Sequence, residues 1–449
     1  MKKRFLRLAC MFLCVSLLFS FCGCDLLNSL TGECVHEYGE YFEDANGHYQ
    51  VCDLCGEQSE IKSHEYDGYI KGAEKHYQVC TLCGAKTEEQ AHDFVENGAE
   101  KSCFCGYKIV EAKGAISFHF MMLGNNRAGD CVYIKAGEND ILIDSGSYYD
   151  SMDSITAYVD AFVPDKKLEY VIATHADQDH IACFAGSTSG DSLFDYYECE
   201  TIIDFPKSNK TTKVYERYQS ERAAEVQAGA KHYTALQCYN NQDGAQRVYN
   251  LTEDGNVKME ILYNYYYENK SSDENNYSVC VMFYHGSRQF LFTGDLEKEG
   301  EEYLAEKYDF TQVELFKAGH HGSPTSSNDC LLKEIQPKIC VACCCAGSVE
   351  YTDNLENTFP SQAVINRIAP YTDKFFVPIT TNIKEKGTLE NGNPDYENDG
   401  DYIIMNGNII VSSNEEGVEI NCSNNNTLLK DTEWFKNYRI TPDAWMAAA

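Results

Sequence analysis

From about Gly114 onward, apolar positions fall into short strand-like runs separated by helix-like runs, and their order is the first structural signal in the chain. Residues 116–122, 130–136 and 140–144 read as strands, 151–163 as a helix and 168–174 as a strand. Residues 187–255 are polar and mixed and show no clear period. Strand-like runs return at 257–265, 278–284 and 289–293, followed by a helix over 296–307. A strand at 313–318, a helix at 328–335, a strand at 338–345, a helix at 361–368 and strands near 374, 403 and 409 complete the order. Strands precede helices twice over. That order predicts an α/β unit over 113–422, a sandwich of two mixed sheets with helices outside. Residues 423–449 carry few core signals and are expected to form a peripheral tail.

The first residues read as an address. Lys2, Lys3, Arg4 and Arg7 precede an uninterrupted apolar run from Leu8 to Phe21. The run ends in Phe21-Cys22-Gly23-Cys24, which resembles a bacterial lipobox, so residues 1–24 are expected to act as a lipoprotein signal with Cys24 lipidated. An uncleaved membrane anchor is the alternative. Both place the rest of the chain outside the cytoplasm, tethered to the bacterial membrane at its N-terminus.

Between that leader and the α/β unit, over 25–112, the chain repeats itself with a period of 28 residues. His36, His64 and His92 keep that spacing, as do His48 and His76, Cys52 and Cys80, and Cys55 and Cys83. Both full copies read His-Tyr-Gln-Val-Cys-x-Leu-Cys-Gly. A C-x-x-C-Gly turn presents two thiolates to one metal, and two histidines complete a tetrahedral zinc site. Two partitions fit the spacing equally. One groups His36, His48, Cys52 and Cys55, then His64, His76, Cys80 and Cys83; in the other, His64 and His92 close the sites. The third copy is degenerate, with Cys103-Phe104-Cys105 in place of C-x-x-C. The copies resemble small zinc-ribbon-like repeats of bacterial surface proteins, which implies structural zinc and a spacer or binding role.

Composition narrows the functions. With 43% hydrophobic and 24% charged residues most of the chain should fold, and a net charge of -33 argues against a general nucleic-acid binder. It leaves a nuclease open, because bound cations reverse the local field. Of 22 cysteines, eighteen remain beyond the leader and Cys24, without an obvious disulfide framework. Cys343-Cys344-Cys345 read as small buried residues of a strand.

The chemistry concentrates at strand ends. His175-Ala176-Asp177-Gln178-Asp179-His180 packs four metal-ligand side chains into six residues after the strand at 168–174. Ile141-Leu142-Ile143-Asp144 precedes it. Phe292-Thr293-Gly294-Asp295 and Lys317-Ala318-Gly319-His320-His321-Gly322-Ser323 follow, each closing another strand. In this order and spacing the motifs resemble the metallo-β-lactamase superfamily over roughly residues 114–422, which implies an αββα sandwich. Gly129-Asp130-Cys131-Val132-Tyr133-Ile134, the His-x-Asp-x-Asp-His variant and the Lys-x-x-His-His-Gly-Ser stretch most resemble the extracytoplasmic hydrolase domain of ComEC-type competence proteins. The last stretch also resembles surface phosphorylcholine esterases that act on teichoic acid.

The resemblance implies a site of two Zn²⁺ or Mn²⁺ ions. His175 and Asp177 would hold one; Asp179, His180 and His321 the other; and Asp295 would bridge. Asp144 would support the ligand loop through hydrogen bonds, while Asp179, His320 and Lys317 would take part in catalysis. Asp177 stands where the superfamily commonly has histidine, which hardens the site. The usual middle histidine is absent; His232 and His285 are poorly placed, whereas Asn275 or Asn276 occupies a similar position. Phe359-Pro360 replaces a His-Pro near the last helix. The implied activity is metal-assisted hydrolysis of a phosphodiester, with DNA or teichoic acid as possible polymers. A lactonase or β-lactamase on the same fold, and a non-catalytic zinc-stapled surface binding protein, are the competing expectations.

Overall fold

The computed structural model describes residues 36–446 apart from 73–74, 98–99, 111–113 and 389–393. The leader and Cys24 lie outside the described residues. Among those described, no helix is long and apolar enough to cross a membrane. The chain divides into two compact units near residue 91, the second running through His92–Ala449. The third, degenerate copy therefore folds with the α/β unit rather than with the repeats, as the Asn408 amide shows by donating to the Tyr107 hydroxyl at 2.9 Å.

In the first unit each full copy contributes a small antiparallel sheet. Tyr38–Asp44 pairs with Gly47–Cys52, and Ile70–Lys71, Lys75–Tyr77 and Gln90–Ala91 form the equivalent set one period later. Each C-x-x-C turn closes with the amide of the following glycine, Gly56 or Gly84, donating back to the first cysteine's carbonyl at 2.8 and 3.0 Å. Both glycines hold φ near +75°, a conformation that costs other residues free energy.

The second unit is built on two sheets. The first has eight strands in the spatial order Lys231–Thr234, Glu198–Asp204, Lys167–Ile172, Asn139–Ile143, Val132–Ala136, Ile116–Phe120, Ile409–Ser413 and Val418–Cys422. The second has seven: Val248–Asn250, Val257–Ile261, Val281–His285, Arg288–Phe292, Leu315–Lys317, Cys340–Val341 and Phe375–Phe376. Alternation along single strands decides which face meets which layer. Phe283, Phe290 and Phe292 point between the sheets, where Phe118 packs on all three. Met282 and Leu291, one residue out of phase, face the opposite way onto Leu304, Leu332 and Ile365 of the outer helices. Met152–Val159 and Gln178–Ala185 cover the first sheet with Ile155, Val159, Ile181 and Phe184. Each such buried side chain contributes about 1.5–3 kcal/mol. This is the expected αββα arrangement.

The sequence reading and the structure differ in three places. Residues 187–255 fold into two further parallel strands, Glu198–Asp204 and Lys231–Thr234, joined by the helix Lys213–Ala228. That helix buries only Tyr218 and Glu225, so it shows almost no apolar stripe. The run at 338–345 is two short strands, with Cys345–Ala346 leaving the main sheet for one with Ile379–Thr388 and Pro394–Ile404. The tail is not peripheral. Leu429, Trp434, Phe435 and Trp445 are buried in the core that covers the second sheet. All the described cysteines are free, and Cys343, Cys344 and Cys345 are buried.

Candidate metal centre

The motif residues meet because parallel strands end together. Asn139–Ile143 delivers Asp144 and its parallel neighbour Lys167–Ile172 delivers Thr174 and His175. In the facing sheet Arg288–Phe292 leads to Asp295, Leu315–Lys317 to His320-His321, and Cys340–Val341 to Cys343. The carboxyl ends of parallel strands form the usual ligand crevice of such sheets.

Four side chains converge most closely. His180 Nε2 lies 3.1 Å from Asp295 Oδ2 and 3.2 Å from His321 Nε2. His321 Nε2 lies 3.2 Å from the same Asp295 oxygen and 3.3 Å from Asp179 Oδ2. All of these contacts use the Nε2 edges of the imidazoles. Asp130 also falls within 4.8 Å of His180, Asp295 and His321, but it faces the Nδ1 edges, at 3.8 Å from His180 and 3.1 Å from His321. It therefore stands behind the imidazoles, opposite the convergence point. The Nδ1 atoms are otherwise fixed by Asp144 Oδ2, 2.8 Å from His180, and by the Cys343 carbonyl, 3.0 Å from His321. Asp144, at φ +60°, also accepts hydrogen bonds from the Thr174 amide at 2.7 Å and its hydroxyl at 2.8 Å, which clamps the start of the ligand loop.

The electrostatics are severe. Asp130, Asp144 and Asp295 are at most 2% exposed, and the only lysine buried to the same degree among the described residues is Lys317. Its ammonium pairs with Asp130 and lies 3.1 Å from Asp295 Oδ1. Burial alone would lower the Lys317 pKa, but the two carboxylates hold it well above its ordinary value. Burial alone would raise Asp295; instead His180, His321 and Lys317 hold it far below the usual carboxylate range. Two imidazole Nε2 atoms 3.2 Å apart cannot both carry protons aimed at one another. A divalent cation fits this donor set of imidazole and carboxylate, and it would offset the remaining buried negative charge.

The other expected ligands lie at its edge, the His175 ring 4.1 Å from that of His180 but outside the contacts above. His175 is fully buried, its Nε2 has no hydrogen-bond partner, and Asp177 Oδ2 is 3.6 Å away. Asp177 pairs with Lys210, which comes from the segment that showed no period. Together with burial, which raises it, the Asp177 carboxyl feels His175 and Lys210, which leave it below its ordinary pKa. His320 turns aside from the convergence point. Its Nδ1 lies 3.2 Å from Thr325 Oγ1, 3.4 Å from Asn275 Nδ2 and 3.5 Å from Glu297 Oε1, with Nε2 3.9 Å from Asp295. Both His320 and His321 hold left-handed backbone, at φ 47° and 55°, which is strain concentrated at the site. Asn275 thus sits beside His320, and Asn276 accepts from the Glu297 amide. His232 pairs with Asp204 at a sheet edge and His285 bonds Ser413, so neither supplies the middle histidine. Phe359, of the Phe-Pro that replaces the expected His-Pro, stacks on His321 at 6.3 Å. Tyr351, which sequence reasoning missed, donates to Asp179 Oδ2 at 2.9 Å. No motif marks it.

In the first unit, donor atoms of His48, His64, Cys80 and Cys83 lie within 4.8 Å of one another, and those of His36, Cys52 and Cys55 form a second group. Neither sequence partition anticipated this. His76 is outside the Cys80–Cys83 group, and His48 is in it rather than with Cys52 and Cys55. His92 turns to Cys105 Sγ, 3.4 Å away, within the second unit.

The sequence pattern of the Metallo-beta-lactamase superfamily matches residues 124–187 and 273–346, which span every strand-end motif of the centre. Within the second unit, the stretch from residue 124 to 346 carries a metallo-beta-lactamase superfamily domain. Its sequence relatives make that domain consistent with the ComEC type. ComE operon protein 3 of Bacillus subtilis is 25% identical over 184 residues, 39% of this chain and 20% of that protein. Competence protein ComA of Neisseria gonorrhoeae is 36% identical over 104 residues, 22% of this chain and 14% of that protein. The chain thus spans a fifth or less of the length of these curated relatives. Among solved structures, the metallo-beta-lactamase fold protein YhfI from Bacillus subtilis is similar with a TM-score of 0.30 at 14% identity, covering 50% of this chain and 85% of that one. The diiron beta-hydroxylase CmlA from Streptomyces venezuelae has a TM-score of 0.29 at 11% identity, covering 59% and 49%.

Proposed function

We propose that this chain is an exported metal-dependent phosphodiesterase, a nuclease or cell-wall phosphoesterase, tethered to the bacterial membrane through a lipid on Cys24. The observation that carries the chemistry is the convergence of Asp179, His180, Asp295 and His321 through their Nε2 and carboxylate edges. Those four would hold one ion and His175 with Asp177 a second, with Asp295 shared. Bound there, Zn²⁺ or Mn²⁺ supplies a nucleophilic water at neutral pH and positive charge against the phosphate oxygens. Structural Zn²⁺ is assigned to the repeats, whose role is that of a spacer or binding module.

The chain's own residues prepare the site. Asp144 and the Cys343 carbonyl aim the imidazoles. Lys317 keeps Asp295 ionised, and Lys210 adds positive charge on the Asp177 side. His320, its side chain 21% exposed and its Nδ1 held by Glu297 and Thr325, would hydrogen-bond the leaving oxygen through Nε2. Competence-protein relatives favour a nucleic acid among the diesters, whereas the net charge of -33 favours short or wall-linked ones.

The test is turnover of bis-p-nitrophenyl phosphate by the chain without its leader and lipidated cysteine, residues 25–449, with Zn²⁺ or Mn²⁺. Asp179→Ala should cost more than about 100-fold, since losing a ligand exceeds the effect of losing its support. No turnover with either metal, or equal turnover in Asp179→Ala, sinks the reading. Faster hydrolysis of a lactone or a β-lactam redirects it to those substrates. Metal in the repeats alone makes the chain a binding protein.

A further inference from the structure

The two groups of donors in the first unit share a logic that spacing could not reveal. Backbone pairing sets it. In the second copy, Tyr66 bridges Cys80, and the Thr81 amide donates to the Glu65 carbonyl at 2.8 Å, which brings His64 beside the Cys80–Cys83 turn. In the first copy, Tyr38 pairs with Cys52, and the Asp53 amide donates to the Glu37 carbonyl at 2.8 Å, which brings His36 beside Cys52 and Cys55 in the same way. Each copy thus assembles three donors of its own: the leading histidine and both thiols.

The fourth donor of the second copy comes from the first. His48 lies on the strand Gly47–Cys52 and exchanges backbone hydrogen bonds with Lys62 at 2.8 and 2.9 Å, which places it two residues from His64 across the turn. Its Nδ1 reaches Cys80 Sγ at 3.6 Å, and His64 Nδ1 reaches Cys83 Sγ at 3.3 Å. A tetrahedron with Zn–S near 2.3 Å and Zn–N near 2.05 Å has an S···N edge of about 3.6 Å, so both separations suit a shared ion. His48 is fully buried, and its Nε2 has no hydrogen-bond partner. An imidazole buried at that cost, with its other nitrogen facing two thiols and a second imidazole, is accounted for by a cation.

We infer that one zinc ion is shared between the two full repeats, held by His48 of the first copy together with His64, Cys80 and Cys83 of the second. The ion ties one copy's central strand to the next copy's C-x-x-C turn, so zinc sets how successive copies stack as well as how each one folds. The first copy has no copy before it. Counting back 28 residues from His48 reaches Ser20 in the sequence, and among the described residues His36, Cys52 and Cys55 make a group of three donors.

This inference rests on the zinc reading of the repeats, and its test separates the two. The zinc-loaded full exported chain is alkylated with N-ethylmaleimide and each thiol's labelling is followed by peptide mass spectrometry, since zinc-bound thiolates are protected. His48→Ala should raise labelling of Cys80 and Cys83 at least about tenfold and leave Cys52 and Cys55 at their wild-type rates. His76→Ala should leave Cys80 and Cys83 protected. Because His48→Ala could loosen the whole unit, the His76→Ala arm stands independently: loss of protection at Cys80 and Cys83 there returns the site to a single copy and overturns the sharing. Selective exposure of Cys52 and Cys55 by His48→Ala overturns it too. Wild-type chain that holds no zinc, with all four thiols labelled alike, overturns the zinc reading itself.

Discussion

At the scale of single residues, the centre depends on Lys317 as much as on its metal ligands. The ammonium sits 2% exposed between Asp130 and Asp295 and compensates both. Removing one partner of a buried ionic cluster costs about 3–5 kcal/mol, because the remaining charges stay buried without compensation. Lys317→Met, which keeps most of the volume, should therefore destabilise the metal-free chain by about 3 kcal/mol or more, read as a shift in urea midpoint at constant m. Wild-type stability in Lys317→Met would show that the carboxylates are neutralised in another way. Part of this scale was legible beforehand: Asp179, His180, Asp295 and the His-His pair, which the fold brings together, were marked by order and strand ends. The resemblance named His321 rather than His320 as the ligand, and it is the His321 Nε2 that meets His180 and Asp295, with both histidines on left-handed backbone. Asp130 was visible only as part of a Gly-Asp signature, and Tyr351 and Lys210 arrive from loops remote in sequence.

At the scale of elements, strands flanked by apolar alternation were readable and polar elements were not. Lys213–Ala228 hides because it buries two residues in sixteen, and the strand after it, Lys231–Thr234, has only four residues. The tail was misread for the opposite reason. Its apolar residues are few, but Leu429, Trp434, Phe435 and Trp445 are buried while Ile440 and Met446 stay exposed, so composition understates the part that packs. Trp445 donates from Nε1 to the Thr372 carbonyl at 2.9 Å and packs on Phe435 at 5.7 Å. Trp445→Ala should cost about 3–5 kcal/mol, measured by thermal or denaturant unfolding of the full chain. A loss within about 0.5 kcal/mol, the range of a surface substitution, would return the tail to the periphery.

At the scale of the whole molecule, the net charge of -33 acts on any substrate before contact is made. Long-range repulsion of a polyanion is screened by salt, whereas a small diester feels little of it. If DNA is a substrate, raising ionic strength from about 0.05 to 0.3 M should increase kcat/KM on long DNA and leave bis-p-nitrophenyl phosphate nearly unchanged. A fall on DNA over that range would instead point to a basic binding track. The sequence by itself determined the αββα class, the strand-end motifs and the thiol–imidazole content of the repeats, because periodicity and local spacing are properties of contiguous residues. Tertiary structure alone decided that Asp130 stands behind the imidazoles, that the tail belongs to the core, and that His48 crosses to the next copy's cysteines. Each of those is a meeting of residues brought together by strand pairing or packing across long loops, and a periodic pattern records the face a residue shows without naming the residue it meets.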